Sequence, residues 1–132
     1  MDFASIRIIT ADVARLAGFY ERATGVAATW ATEDFAEIKT SSATLAIGST
    51  RTVALFAAGS AEPSANRSVI IEFLVDDVDG VHENLTGVEV IQEPTTMPWG
   101  NRSLLVRDPD GNLVNFFRRA TPAAASPARP GL

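Results

Sequence analysis

A chain of 132 residues with 46% hydrophobic content is long enough to bury an ordinary core as one domain, which excludes disorder along its whole length. Its net charge of -5, with a single Lys and scattered Arg, excludes a general nucleic-acid binder; a neutral or cationic small molecule suits that balance better, and so does a plain solubility role. The lack of Cys removes disulfides, thiolate nucleophiles and sulfur-ligated metals, while the absence of a leader-like N-terminus or an apolar span leads us to expect a cytoplasmic protein with no membrane contact.

Residues 5 to 9, SIRII, read as a strand with Ser5 and Arg7 on one face. Asp12 is a good N-cap, and Val13, Leu16, Tyr20 and Ala23 recur at helical spacing, so residues 13 to 24 form an amphipathic helix that Gly25 ends. Three extended segments follow: residues 26 to 32, residues 35 to 40 together with 44 to 47, and residues 52 to 56. Residues 58 to 67 have the small, polar composition of a linker. A strand at 69 to 75 then leads through Asp76 or Asp77 into a helix reaching about Leu85, Gly87 stops it, and a strand starts at 88 to 92. After the loop PTTMPWG, the segment NRSLLVRDPDGNLVNFF (101 to 117) is a hairpin turning at DPDG. Residues 121 to 132 are rich in Ala and Pro and read as a disordered tail.

The second half repeats the first. YERATGV (20 to 26) matches HENLTGV (82 to 88) at an offset of 62, the helix caps Asp12 and Asp77 lie 65 apart, and VALF (53 to 56) is set against VNFF (114 to 117). The chain therefore reads as a β-α-β-β-β unit at 3 to 57 and a second at 68 to 118, each small for a core of its own.

This repeat, the FYERATG helix end, the VDDVD junction and the terminal RDPDGNLVNFF together resemble the vicinal oxygen chelate superfamily, also called the glyoxalase, bleomycin resistance and dioxygenase superfamily. The resemblance implies an α+β fold with two curved mixed sheets, each a half-open cup, and assembly as a homodimer. In enzymes of that superfamily, two His and two carboxylates hold a divalent metal that polarises the substrate. Matched by motif, those positions fall here on Ser5, Ala54, Ile70 and Asn115. Ala and Ile cannot ligate, and Ser and Asn are weak donors for such metals. The expectation is accordingly no metal and no other cofactor. His82 lies on the second helix among polar neighbours, and Asp108 and Asp110 suit turn hydrogen bonding better than calcium.

Alternation puts Arg7 and Glu72 at repeat-equivalent, inward positions, where they would pair between modules to set register or hold a ligand. Trp99, beside Gly100, either anchors its loop or a dimer contact, or stacks on a planar ligand. Trp30, Phe35, Phe56 and Phe117 are core aromatics or cavity walls, and Arg102 is placed to orient an acidic group. The candidate ligand-binding set is thus Ser5, Arg7, Phe56, Glu72, Trp99, Arg102, Asn115 and Phe117. It serves a metal-independent small-molecule binding protein resembling the bleomycin-resistance branch, or an enzyme of lyase, isomerase or hydrolase type with Glu72 as base and Arg7 as electrophile. An interaction module is a third reading.

Overall fold

The N-terminal alternation of SIRIIT becomes β1 (Ser5–Thr10), and Asp12 then opens α1 (Val13–Thr24) by accepting a hydrogen bond from the Arg15 amide at 3.1 Å. The helix stops at Gly25, whose amide donates to the Glu21 carbonyl at 2.9 Å with φ at 73°. Its apolar face carries Leu16, Phe19 and Tyr20, all essentially unexposed, and packs on β3 (Phe35–Lys39) and β4 (Thr44–Ser49). Burying each of those side chains contributes about 1.5–3 kcal/mol. With β2 (Thr29–Thr32), these strands form a sheet in the order β1-β4-β3-β2, with β1 parallel to β4 and the other pairs antiparallel.

This computed structural model describes residues 1–120, so the expectation for the tail at 121–132 lies outside the described residues. The described chain divides into two units, the first comprising 1–67 with 109–111, the second 68–108 with 112 onward.

The second unit runs β5 (Ile70–Leu74), α3 (Val78–Asn84), β6 (Glu89–Thr96), β7 (Arg102–Arg107) and β8 (Leu113–Arg118), giving a sheet ordered β5-β8-β7-β6. Asp77 caps α3, accepting from the Gly80 amide at 3.0 Å. The helix covers a face on which Leu104, Val106, Val114 and Phe116 are fully buried, and Phe73 stacks on Phe116 with ring centroids 5.5 Å apart. In the DPDG turn, Asp108 accepts from the Asn112 amide at 2.9 Å and from its side chain at 2.8 Å, which closes the β7-β8 hairpin. Two four-stranded mixed sheets, each with a longer helix packed on one face, make the fold α+β.

Three sequence expectations change. Residues 52 to 56 are not a strand: Thr50–Ala54 is a short helix, α2, capped by Ser49 accepting from the Arg51 amide at 3.2 Å. β-Branched composition argued for a strand, but the cap and the burial of Val53 against the sheet override that propensity. The fourth strand of the first unit is instead β4, following directly on β3. Finally, β6 continues through Thr96 where a loop was expected. It is the sheet's edge, and its register shifts between Gln92 and Thr95, so Pro94 sits where a missing N–H costs no ladder bond.

Candidate functional site

Strand register determines which side chains share the face opposite α3. Glu72 on β5 pairs with Asn115 on β8, Asn115 with Leu105 on β7, and Leu105 with Gln92 on β6, so one row crosses all four strands. The next row on that face holds Phe117 and Ser103, which also pair. These residues floor a pocket of about 180 Å³, and Met97, Trp99 and Asn101 supply its wall.

That wall is a tight turn. The Met97 amide donates to the Asn101 carbonyl at 2.7 Å and the Gly100 amide to the Met97 carbonyl at 2.8 Å. Gly100 is required there twice over: its φ is +100°, and a Cβ would lie 2.8 Å from that of Ala120. Asn101, 7% exposed, accepts from the Ala120 amide at 3.0 Å, fixing the turn to the chain leaving β8. Trp99 stands at the tip, 56% exposed.

Inside the pocket, the Asn115 side-chain amide donates to Glu72 Oε2 at 2.9 Å. A carboxylate only accepts, so this bond orients the carboxamide and leaves Asn115 Oδ1 buried with no partner among the described residues. The other Glu72 oxygen likewise has no hydrogen bond to a described residue.

Of the sequence candidates, Glu72, Trp99, Asn115 and Phe117 come together here. Arg102 does not. It follows Asn101 and precedes Ser103, both lining residues, and alternation turns it to the other side, where it pairs with Asp79 at 2.8 Å and donates to Thr96 at 3.1 Å. Hydrogen bonding from Arg102 holds the Asp79 carboxyl below its usual range, with charge attraction adding to it. The pocket residues that sequence reading passed over are Gln92, Met97, Asn101, Ser103 and Leu105. Period-two alternation counted back from Asn115 across the hairpin would have found Leu105 and Ser103; Met97 and Asn101 depend on how the turn folds.

Ser5, Arg7 and Phe56 belong to the first unit. Ser5 is exposed at the start of β1, paired with Thr44. The Arg7 guanidinium lies over Phe35 and Phe56, with its carbon 5.7 and 5.3 Å from the two ring centroids. Here α2 and the turn after it cover the open face of the sheet, and Gly48 allows the approach: a Cβ there would lie 2.7 Å from Thr52 Oγ1 and 3.3 Å from Arg7 Cδ. Arg7 and Glu72 therefore each have partners within their own unit. Trp30 is on β2, 44% exposed.

The metal positions also need restating. Because Arg7 pairs with Ala46 as Glu72 pairs with Asn115, the repeat equivalent of Asn115 is Ala46 on β4 and not Ala54 on α2. The donor set becomes Ser5, Ala46, Ile70 and Asn115, which does not fit a divalent metal of the Zn or Fe kind. Among the described residues no group of three or more His, Cys, Asp or Glu is placed to hold an ion.

Similar folds are common among solved structures. A glyoxalase/bleomycin resistance protein/dioxygenase family enzyme from Burkholderia phytofirmans superposes with a TM-score of 0.79 at 17% identity, covering 89% of this chain and 98% of that one. A glyoxalase/bleomycin resistance protein/dioxygenase from Nocardioides gives 0.72 at 20% identity over 99% and 90% of the two chains. A glyoxalase-related enzyme from Fulvimarina pelagi gives 0.76 at 21% over 89% and 88%. No curated protein matches the sequence. The family model for the glyoxalase/bleomycin resistance protein/dioxygenase superfamily matches residues 2–116, and with this architecture behind it the chain belongs to that superfamily.

Proposed function

We propose that the chain is a small-molecule binding protein that works without a metal, its site being the pocket on the open face of the second sheet. The observation that carries this reading is the pocket itself: a strand-borne floor with a polar Glu72–Asn115 pair, an apolar side from Leu105 and Phe117, and an exposed Trp99 on a braced turn. Small-molecule sites combine these parts, a mostly apolar concavity with a few polar groups that fix orientation. The residues at the superfamily's metal positions support binding without Lewis-acid chemistry, since two of the four, Ala46 and Ile70, carry no donor atom. The volume of about 180 Å³ lies below the roughly 300–1,000 Å³ of drug-sized sites, which suits a single ring or one end of a longer ligand.

Thermal-shift screening of planar metabolites and drugs against the wild type and Trp99→Ala tests the proposal. Compounds that raise the wild-type melting temperature and fail to raise that of the variant support it; a broad panel with no Trp99-dependent shift overturns it. The open oxygen of Glu72 favours a second reading, an enzyme with Glu72 as general base. Turnover of a small oxygenated substrate that is lost in Glu72→Gln would establish that reading. A homodimer remains part of the proposal, checked by mass measurement in solution.

A further inference from the structure

We infer that the pocket takes a planar cation bearing a fork of N–H donors, an amidinium or guanidinium carried on one aromatic ring. The inference rests on the binding reading above and names its ligand class. Of the described residues lining the pocket, Glu72 alone is ionisable, so none of them is a cation that compensates an incoming anion. One of the two N–H donors of the Asn115 carboxamide is committed to Glu72 at 2.9 Å. The acceptors left open beside that bond are the second Glu72 oxygen and Asn115 Oδ1, the latter buried, both without a hydrogen bond among the described residues.

An acceptor buried without a donor is unfavourable, and a ligand bringing N–H groups to this floor relieves that cost. A carboxylate ligand would instead face Glu72 and desolvate two like charges. A fork of parallel N–H groups matches a carboxylate's two oxygens better than a point-like ammonium does. The ring has its own partners in Leu105, Met97 and the Trp99 face, and the pocket volume admits one ring. Arg119 already lies over Phe117, its guanidinium carbon 5.5 Å from the ring centroid, so the charged end of the ligand belongs at Glu72 and away from Phe117.

Benzamidine, benzamide and benzoate share one shape and differ in charge, which makes them the test. Affinities are measured by ligand-observed NMR and calorimetric titration on the wild type, Glu72→Gln, Trp99→Ala and, as a control for general attraction to an acidic protein, Glu89→Gln at the start of β6. Benzamidine is expected to bind about tenfold or more tighter than benzamide, with benzoate weakest. Glu72→Gln should weaken benzamidine by about tenfold and benzamide by less than about threefold, while Glu89→Gln changes neither. Benzoate binding as well as benzamidine overturns the inference, and so does an equal loss in Glu72→Gln and Glu89→Gln. If none of the three binds while another molecule gives a Trp99-dependent thermal shift, the cation inference falls and the binding reading stands. If no molecule gives such a shift, both fall.

Discussion

Gly48→Ala probes the packing of α2 against the first sheet. The added methyl would sit 2.7 Å from Thr52 Oγ1 and 3.3 Å from Arg7 Cδ. Arg7 is flexible and can yield a few tenths of an ångström, whereas Thr52 Oγ1 donates to the Ser49 carbonyl at 2.6 Å and is fixed to the start of α2. Forcing a methyl into such a filled position costs about 1–3 kcal/mol. Removing a glycine from a strand interior returns about 0.5–1 kcal/mol. The net expectation is a loss of about 0.5–2 kcal/mol, or a fall in melting temperature of roughly 2–8 °C for a domain of this size. Urea unfolding of the wild type, Gly48→Ala, Thr52→Ala and the double variant measures it. Because Thr52→Ala removes the clashing atom, the double variant should be more stable than the sum of the single losses by about 1 kcal/mol. A Gly48→Ala protein as stable as the wild type, or strictly additive losses, would refute the account of α2 as the cover over β1 and β4.

Other consequences are equally measurable. Phe116→Ala empties a fully buried site stacked on Phe73 and should cost about 3–5 kcal/mol in denaturant unfolding, against about 0.5 kcal/mol or less for the exposed Trp99→Ala; similar losses for the two would contradict the placement of the core. Asp108→Ala removes two hydrogen bonds accepted from Asn112 at a buried turn and should cost about 1–3 kcal/mol, read in the same assay. For Asp79, the folded-state pKa is depressed, chiefly by hydrogen bonding from Arg102, so its contribution to stability is present above the unfolded value and is lost as pH falls through the folded one. Arg102→Ala should therefore move the Asp79 carboxyl titration upward in NMR and lower stability near neutrality, with the difference from wild type shrinking in strong acid. An unmoved Asp79 titration would show the pair to be inactive in solution.

Much of this architecture was legible because local signals agreed with one another. Asp12 and Gly25 bracket an amphipathic period and cap α1; Asp77 caps the start of a weaker copy, α3, which ends at Asn84 with Leu85 as its cap, ahead of Gly87. The Asp-Gly turn between alternating runs gave the β7-β8 hairpin. The end of the first unit misled because TRTVALF satisfies strand composition and resembles VNFF, yet its conformation is decided by Ser49 capping and by Val53 meeting the sheet, neither of which composition encodes. That single shift moved one metal position from Ala46 to Ala54 without altering its chemistry.

A third of the pocket lining followed from alternation along single strands, which put Glu72, Asn115 and Phe117 on the open face. The remainder depends on register between strands and on the turn from Met97 to Asn101, so Gln92 and Met97 carried no signal of their own. Arg102 shows the opposite error: a charged residue next to the site by sequence lies one position out of phase with it and serves α3 instead.

The most direct test is to map where a ligand binds. Two-dimensional amide NMR is recorded on the labelled protein while adding benzamidine and each compound that raises its melting temperature. The account predicts that the Asn115 side-chain amide, the Trp99 indole and the backbone amides of Ser103 and Leu105 shift together and saturate at one ligand concentration. Shifts confined to Arg7, Phe35 and α2, or a bound ligand that leaves Asn115 and Trp99 unmoved, would contradict it.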